Sequence, residues 1–331
     1  MKLWIEKRTW LSRRAKSKLA RLSTDDIDSI LVIKHAAYGD LLCMRPFLIT
    51  LRQAFPKAKL TFSAIQHYQR GIPDDLVDHV HILPTKHKSM MARFHAMREL
   101  GHYTLLFDLT ESTPSFLLSL FTSAEFKVGY QHRSIHKFIY DVAILRAEYR
   151  FEAETFLEQL HVLGLQYDWP PNYQMPITAM NRSKPYVIYF ATASAKNKSW
   201  PAELFIELIE QTARQYPQYD HIVLSGLADW EIEIANKISS ELETHQNVIK
   251  LAAGKDDASL IKGATALVAN DTGIRHLSIA TETPSVGIFF YATPFGYWPR
   301  FGRHQVVFER DGSVPSVNNV KQALGLILDL E

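Results

Sequence analysis

Three short stretches of this chain combine residues that can hold an anion or move a proton. In VANDTGIRHLSIA, Val268 to Ala280, an apolar run meets Asp271, Thr272 and Gly273, and a helix-like pattern begins at once. Backbone N–H groups at a helix start, together with the helix dipole, favour an anion such as phosphate. Gly273 permits close approach and Thr272 adds a hydroxyl, while Asp271 suits a sugar hydroxyl. Asp and Thr are also favoured helix caps, so plain capping is the alternative reading.

The second stretch is ATASAKNKSWP, 191–201. Thr192 and Ser194 supply hydroxyls, Lys196 and Lys198 supply cations, and a lysine beside a diphosphate neutralises charge growing on a leaving phosphate. A solvated surface loop is the alternative. The third stretch, HAAYGD (35–40), ends in Asp40 at a helix start. A carboxylate there can act as general base toward a hydroxyl, or simply cap the helix.

Each stretch must be positioned by a strand before it and a helix after it. SILVIK (29–34) reads as a buried parallel strand, followed by a helix from Leu41 to Phe55 in which Pro46 marks an early turn or a kink. LTFSAI (60–65), HVHIL (79–83) and TLLFDL (104–109) continue the strands; Met90 to Leu100, Thr113 to Phe121 and Phe151 to Leu163 read as helices. Alternation stops in the proline-rich 167–184, a linker, and restarts at YVIYF (186–190). Helices at 201–216, 230–240 and 257–263 and strands at 221–226, 247–252, 266–270 and 285–290 follow, with a last helix over 317–330. The spacing predicts α/β architecture: two doubly wound parallel-sheet domains, 29–166 and 185–331, after a basic extension over 1–28. In such sheets ligands bind at the carboxyl ends of strands.

Composition limits the function classes. Of 331 residues, 47% are apolar and 22% charged, enough for two cores, and the net charge of +2 argues against a general nucleic-acid binder. The single cysteine, Cys43, excludes an internal disulfide framework and a multi-cysteine zinc site. His132 and His136 have i,i+4 spacing without an acidic or cysteine partner pattern, so no metal site is assigned. Neither GxGxxG after the first strand nor GxxxxGK[ST] occurs. No apolar run reaches a membrane-spanning length and no secretory h-region opens the chain, so a cytoplasmic protein is expected. Residues 1–22 carry eight Lys or Arg against Glu6 alone. On a helix, Trp4, Leu11, Ala15, Leu19 and Leu22 would share one face, which makes residues 1–24 either a peripheral contact with an anionic inner membrane or a helix covering its own domain.

At these residues the sequence resembles glycosyltransferase family 9, the ADP-heptose:lipopolysaccharide heptosyltransferases. ILVIKHAAYGDLLCMRPFLITLRQAFPKAKLTF resembles the family's strand, Gly-Asp loop and helix. KSWPAELFIELIEQ resembles its Lys-x-Trp-Pro helix start, VANDTGIRHLSIATETPSVGIFF its Asp-Thr-Gly-x-x-His-Leu signature, and ATPFGYWPRFG the loop that follows. The resemblance covers roughly 29–310 in order. It implies a GT-B fold, two Rossmann-like domains facing a central cleft, with the acceptor on the first, the nucleotide-sugar on the second, and the last helix packing back on the N-terminal domain.

The resemblance also implies inversion without an essential metal or other cofactor, the ADP-sugar being a substrate. Asp40 then looks like the base that deprotonates the acceptor, and Lys198 like the balance for the departing diphosphate. Thr192, Thr272 and Gly273 look like phosphate contacts, with Ser194 and Lys196 in the same loop. Asp271 would meet the donor sugar, His276 would lie nearby, and Glu231 would contact the nucleoside. The expected acceptor is an anionic lipopolysaccharide core, for which Arg45, Arg70, Lys127, Arg133 and Lys137 are the candidate contacts. Two segments depart from the family pattern: His35 to Tyr38 replace small polar residues, and Phe290-Tyr291-Ala292-Thr293 replace Gly-Pro-Thr. The alternatives are another nucleotide sugar or glycan acceptor, a GT-B nucleotide-sugar epimerase, and a non-catalytic nucleotide-sugar-binding protein.

Overall fold

The computed structural model describes residues 8–84, 90–132 and 134–329. The chain divides into two compact units, Met1–Tyr173 and Gln174–Glu331, each built on its own sheet. The first contains β1 (Trp10–Leu11), α1 (Ala15–Leu19), β2 (Ser29–Ile33), α2 (Tyr38–Cys43), α3 (Arg45–Ala54), β3 (Lys59–Ile65), β4 (His79–Leu83) and α4 (Met90–Glu99). It continues with β5 (His102–Asp108), α5 (Thr113–Phe121), β6 (Ser123–Tyr130), α6 (His136–Ile139), β7 (Val142–Ile144) and α7 (Glu152–His161). The second contains β8 (Tyr186–Phe190), α8 (Ala202–Gln215), β9 (Asp220–Leu224), α9 (Asp229–Glu241), β10 (Val248–Leu251) and α10 (Asp257–Lys262). It ends with β11 (Ala266–Asn270), α11 (Gly273–Ala280), β12 (Ser285–Ile288), β13 (His304–Val307) and α12 (Val317–Leu328).

The first sheet runs β1-β7-β6-β5-β2-β3-β4 and the second β10-β9-β8-β11-β12-β13. Apart from β1, which pairs antiparallel with β7, all neighbours are parallel. Counted from β2 and from β8, both sheets have the order 3-2-1-4-5-6 of a dinucleotide-binding fold. Chain direction across the sheet reverses between first and fourth strands, which puts a crevice at the carboxyl ends of β2 and β5 in one unit and of β8 and β11 in the other. The central strands are covered on both faces: Ile30 to Ile33 and Val187 to Tyr189 are fully buried, which is why they read as continuous apolar runs.

Several elements differ from the sequence reading. The helix expected over Leu41 to Phe55 is two helices broken at Met44, because Pro46 occupies the first turn of α3, where a missing N–H is harmless. Over its described residues, 8–28, the extension expected to be helical forms a two-residue strand, a five-residue helix and a 3₁₀ turn (Thr24–Asp26) instead. Its apolar residues Ala15, Leu19 and Leu22 are buried within the first unit, so that face is not offered to a bilayer; Trp4 lies outside the described residues. The apolar face of α12 is taken up within its own unit, against α8, β12 and β13. No helix among the described residues is long and apolar enough to cross a membrane.

Candidate active site

The second unit assembles its candidate residues at the crevice between β8 and β11. The two strands are neighbours, with Phe190 opposite Ala269. One buried side chain then ties their loops together. Asn270 accepts from the Trp200 N–H through Oδ1 (2.8 Å) and donates from Nδ2 to the Ala191 carbonyl (3.0 Å). Ser199 Oγ accepts from the Ala193 N–H (3.0 Å), and the buried Trp200 indole donates to Pro315 O (2.9 Å), so the 191–201 loop is pinned at both ends. Lys198 closes a 3₁₀ turn, half-buried, with Nζ 4.9 Å from the centre of the Tyr291 ring. Ser194 and Lys196 are exposed on the same loop.

Across the crevice, Thr272 precedes α11 in an extended conformation, and its side chain makes no capping bond to the helix backbone. Plain capping by the Thr272 hydroxyl is therefore not what the motif does. Asp271 faces back toward its own helix: the buried Arg275 guanidinium lies 3.4 Å away and His276 Nε2 3.8 Å. Arg275 also donates to Tyr297 O (2.8 Å) and stacks on Phe289. Burial, and then Arg275, push the His276 ring well below its ordinary range, so His276 is neutral.

Thr192 is buried and donates to Glu231 Oε1 (3.1 Å), while Glu231 Oε2 accepts from the N–H groups of Leu227 and Ala228 (both 3.0 Å). Glu231 thus braces its own loop and the start of α9. Gly226 is required there, because a Cβ would sit 2.4 Å from the Glu231 carboxylate. These bonds hold the carboxylate expected to meet the nucleoside at the β8/β9 loops.

In the first unit, Asp40 is the third residue of α2 and half-buried. The N-cap is Ala37, so Asp40 is no cap; it lies in the first turn, where the dipole favours a carboxylate. The 66–71 segment approaches α2 through Tyr38. The Arg70 guanidinium lies 4.7 Å from the Tyr38 ring centre, and Gly71, at φ +85°, leaves the space that ring fills. At the crevice end of β2, His35 N–H donates to Thr110 Oγ1 (2.9 Å). A buried chain then fixes the His35 ring. His81 Nε2 donates to Ala96 O (2.9 Å) and burial keeps His81 neutral, so its Nδ1 accepts from Ser63 (2.9 Å) and Ser63 accepts from His35 Nε2 (3.3 Å).

The sequence reading missed a buried ionic group beside this crevice. Lys34, directly after β2, donates to Leu109 O (3.2 Å) and Glu152 Oε1 (3.3 Å), and Arg146 grips both Glu152 oxygens at 2.6 Å. Burial pushes the Glu152 carboxyl up; Lys34 and Arg146 more than offset it and leave it below its usual range. The only signal was a lysine ending an otherwise apolar strand. Asp108, fully buried, is pushed up to about 6 by burial despite donors from Tyr140 and Thr110.

The candidate acceptor cations separate. Arg45 is buried and bidentate to Asp75 (2.7 and 2.6 Å), with Nε on Tyr173 O, so it holds the fold rather than a ligand. Lys127 caps the end of α5 on Ser119 O and Thr122 O (both 2.7 Å) and is likewise structural. Arg70 stands beside α2, Lys137 is exposed on α6, and Arg133 lies outside the described residues. His132 stacks on Phe116 and His136 packs edge-on against Trp10. Among the described residues no group of three or more His, Cys, Asp or Glu is placed to hold a metal ion.

Four buried histidines, His81, His221, His276 and His304, are held below their ordinary range by burial, His304 at about 4. Unfolded histidine binds its proton near 6.5, so stability is present above that value and falls as pH drops through the window from 6.5 toward 4. Asp108 acts with the opposite sign and offsets one histidine at most. The unfolding midpoint is therefore expected to be lower at pH 5 than at pH 7.5. His304→Asn, which keeps a partner for Ser285 Oγ, should recover about 2 kcal/mol of the loss. A pH profile identical to wild type would dismiss His304 as a contributor.

A family model described as "Glycosyltransferase family 9 (heptosyltransferase)" matches residues 91–324. Lipopolysaccharide heptosyltransferase 1 of Pseudomonas aeruginosa is 31% identical over 123 residues, 37% of this chain and 33% of that relative, so the chain spans a third of its length in this match. Lipopolysaccharide heptosyltransferase 2 of Escherichia coli (strain K12) is 23% identical over 298 residues, 80% of this chain and 83% of the relative. E. coli heptosyltransferase WaaC with ADP-2-deoxy-2-fluoro heptose superposes with a TM-score of 0.73 at 20% identity, covering 89% of this chain and 98% of that one. E. coli ADP-heptose lps heptosyltransferase II gives 0.68 at 20% identity, covering 91% and 99%. These likenesses show the fold, which is GT-B. With well over half its length inside the family match, and with the crevice loops above carrying the motifs, the chain belongs to glycosyltransferase family 9 and is a glycosyltransferase.

Proposed function

We propose that this chain transfers a heptose, or a related sugar, from an ADP-sugar to an anionic inner-core lipopolysaccharide acceptor, with inversion and without a metal. The observation that supports the reading is the pair of loops at the β8/β11 crevice, tied together by Asn270, one carrying Lys198 and the other leading into α11, whose Thr272 side chain makes no cap bond. A diphosphate there meets a lysine and helix N–H groups, which supply the positive field that a metal supplies elsewhere. The acceptor hydroxyl gives its proton to Asp40 as its oxygen bonds to the anomeric carbon. The bond from that carbon to the diphosphate oxygen breaks on the opposite face, and Lys198 and α11 take up the charge on the departing ADP. Among the described candidates, Arg70 and Lys137 are the cations left for acceptor phosphates or carboxylates, and Arg133 stays a candidate beside them. The reaction is placed in the cytoplasm, beside the membrane that carries the acceptor.

A mass-spectrometric screen of nucleotide sugars against truncated core acceptors tests the reading. Transfer of one heptose mass from an ADP-sugar supports it. A sugar isomerised without an acceptor points to an epimerase, and tight nucleotide-sugar binding with no transfer points to a binding protein. Lys198→Ala should weaken ADP binding about tenfold or more by calorimetry, the scale of one charge-assisted hydrogen bond. Unchanged affinity and rate would remove Lys198 from the leaving-group role.

A further inference from the structure

Asp271 is out of place by charge at a site for a diphosphate. It stands directly before Thr272 and Gly273, at the start of α11. A carboxylate there repels phosphate, and in a crevice of reduced dielectric the repulsion is stronger than in water. The same helix supplies a counterweight. Arg275, four residues on, is fully buried, and one of its terminal nitrogens lies 3.4 Å from Asp271 Oδ1. His276 Nε2 lies 3.8 Å from the same oxygen, but the ring is neutral and adds no charge.

The surroundings of Arg275 hold a guanidinium inside the fold. Its terminal nitrogen donates to Tyr297 O (2.8 Å), and the group lies 4.9 Å from the Phe289 ring centre. Gly287 of β12 leaves room for the stem, since a Cβ there would fall 2.8 Å from Arg275 Cδ. A guanidinium keeps its proton, so the charge is permanent, and an apolar side chain would fill a buried position at lower cost. Arg45, the other buried arginine, grips Asp75 with two short bonds and is explained by the fold. The approach of Arg275 to Asp271 is longer, and the Asp271 side chain stays 28% exposed. The pair therefore cancels a charge without using up the carboxylate oxygens. The field of Arg275 also reaches His276 and His304, where it adds to burial in opposing protonation.

We propose that Arg275 is a positioning residue for the donor: its buried charge neutralises Asp271, so that the start of α11 accepts a diphosphate while the carboxylate stays available to a sugar hydroxyl. Arg275 acts through Asp271 and not on the donor itself. The inference deepens the transferase reading and rests on its diphosphate site.

The test is calorimetry of ADP binding to the full chain. Arg275→Met keeps the stem and removes the charge, and should weaken ADP binding about tenfold or more. Arg275→Met/Asp271→Asn should return the affinity to within about threefold of wild type, a recovery that a packing role for Arg275 would not give. Asp271→Asn alone leaves the buried cation without its acid and should tighten ADP binding about threefold or more, which decides the matter if the methionine variants fail to fold. An unchanged affinity in Arg275→Met, a loss that Asp271→Asn does not recover, or weaker binding in Asp271→Asn alone would overturn the proposal and leave the transferase reading standing. A wild-type chain that does not bind ADP would remove the diphosphate site of that reading, and this inference with it.

Discussion

Asp40→Ala should lower turnover by about two orders of magnitude or more, the scale of a lost general base, while ADP binding by calorimetry stays at the wild-type value. The two readouts separate because Asp40 lies on α2 of the first unit, whereas the candidate diphosphate contacts lie on β8–α8 and α11 of the second. Asp40→Asn keeps the shape and removes the basicity, so it should lose nearly as much as alanine. The structural effect should be small, a few tenths of a kcal/mol for a first-turn acid facing the helix dipole. Near-normal turnover in either variant would take Asp40 out of the base role, and a parallel loss of ADP binding would mean that the substitution disturbed more than proton transfer.

The second large effect is on stability. Glu152→Gln should cost about 3 kcal/mol in urea unfolding at neutral pH, because it strips the counter-charge from the buried Lys34. Arg146 is one-third exposed and can turn to water, which keeps the figure at the low end of the range for broken buried pairs. Adding Lys34→Met should restore part of the loss, since a long apolar side chain suits the space over Phe156 that the lysine stem fills. The depressed carboxyl of Glu152 gives a stability contribution present above the ordinary glutamate range and lost as pH falls through its folded value. A loss below about 1 kcal/mol would mean that Lys34 is hydrated or re-paired in the variant and that the ionic group is not a structural centre.

The legible parts of the fold were the strands and helices buried on periodic faces. β2, β8 and β11 are continuous apolar runs covered on both sides, and their limits were read to within a residue. The elements missed were edge or polar ones. β6 carries Glu125 and Lys127 on its less buried positions, β7 and β1 have three and two residues, and β13 begins with His304-Gln305. Short strands like these gain order from pairing with a formed neighbour, which leaves little trace in local composition. At the candidate site, the types of Asp271 to Gly273 and of the 191–201 loop announced an anion. What they did not announce was Asn270 tying the loops together, or Glu231 committed to Leu227 and Ala228, because both depend on which strand lies beside which. Likewise Arg45 read as a surface cation until the fold set Asp75 against it.

The same wiring appears twice along the chain, and no strand is lent from one half to the other: every strand of one sheet comes from residues 10–144 and every strand of the other from 186–307. Strand pairing in either sheet therefore draws on no residue of the other. Each unit thus holds a complete sheet built from an unbroken stretch of chain. A lesion such as the one at Glu152 therefore falls in the unit that carries Asp40 and breaks no strand pair of the sheet that leads into the Lys198 loop.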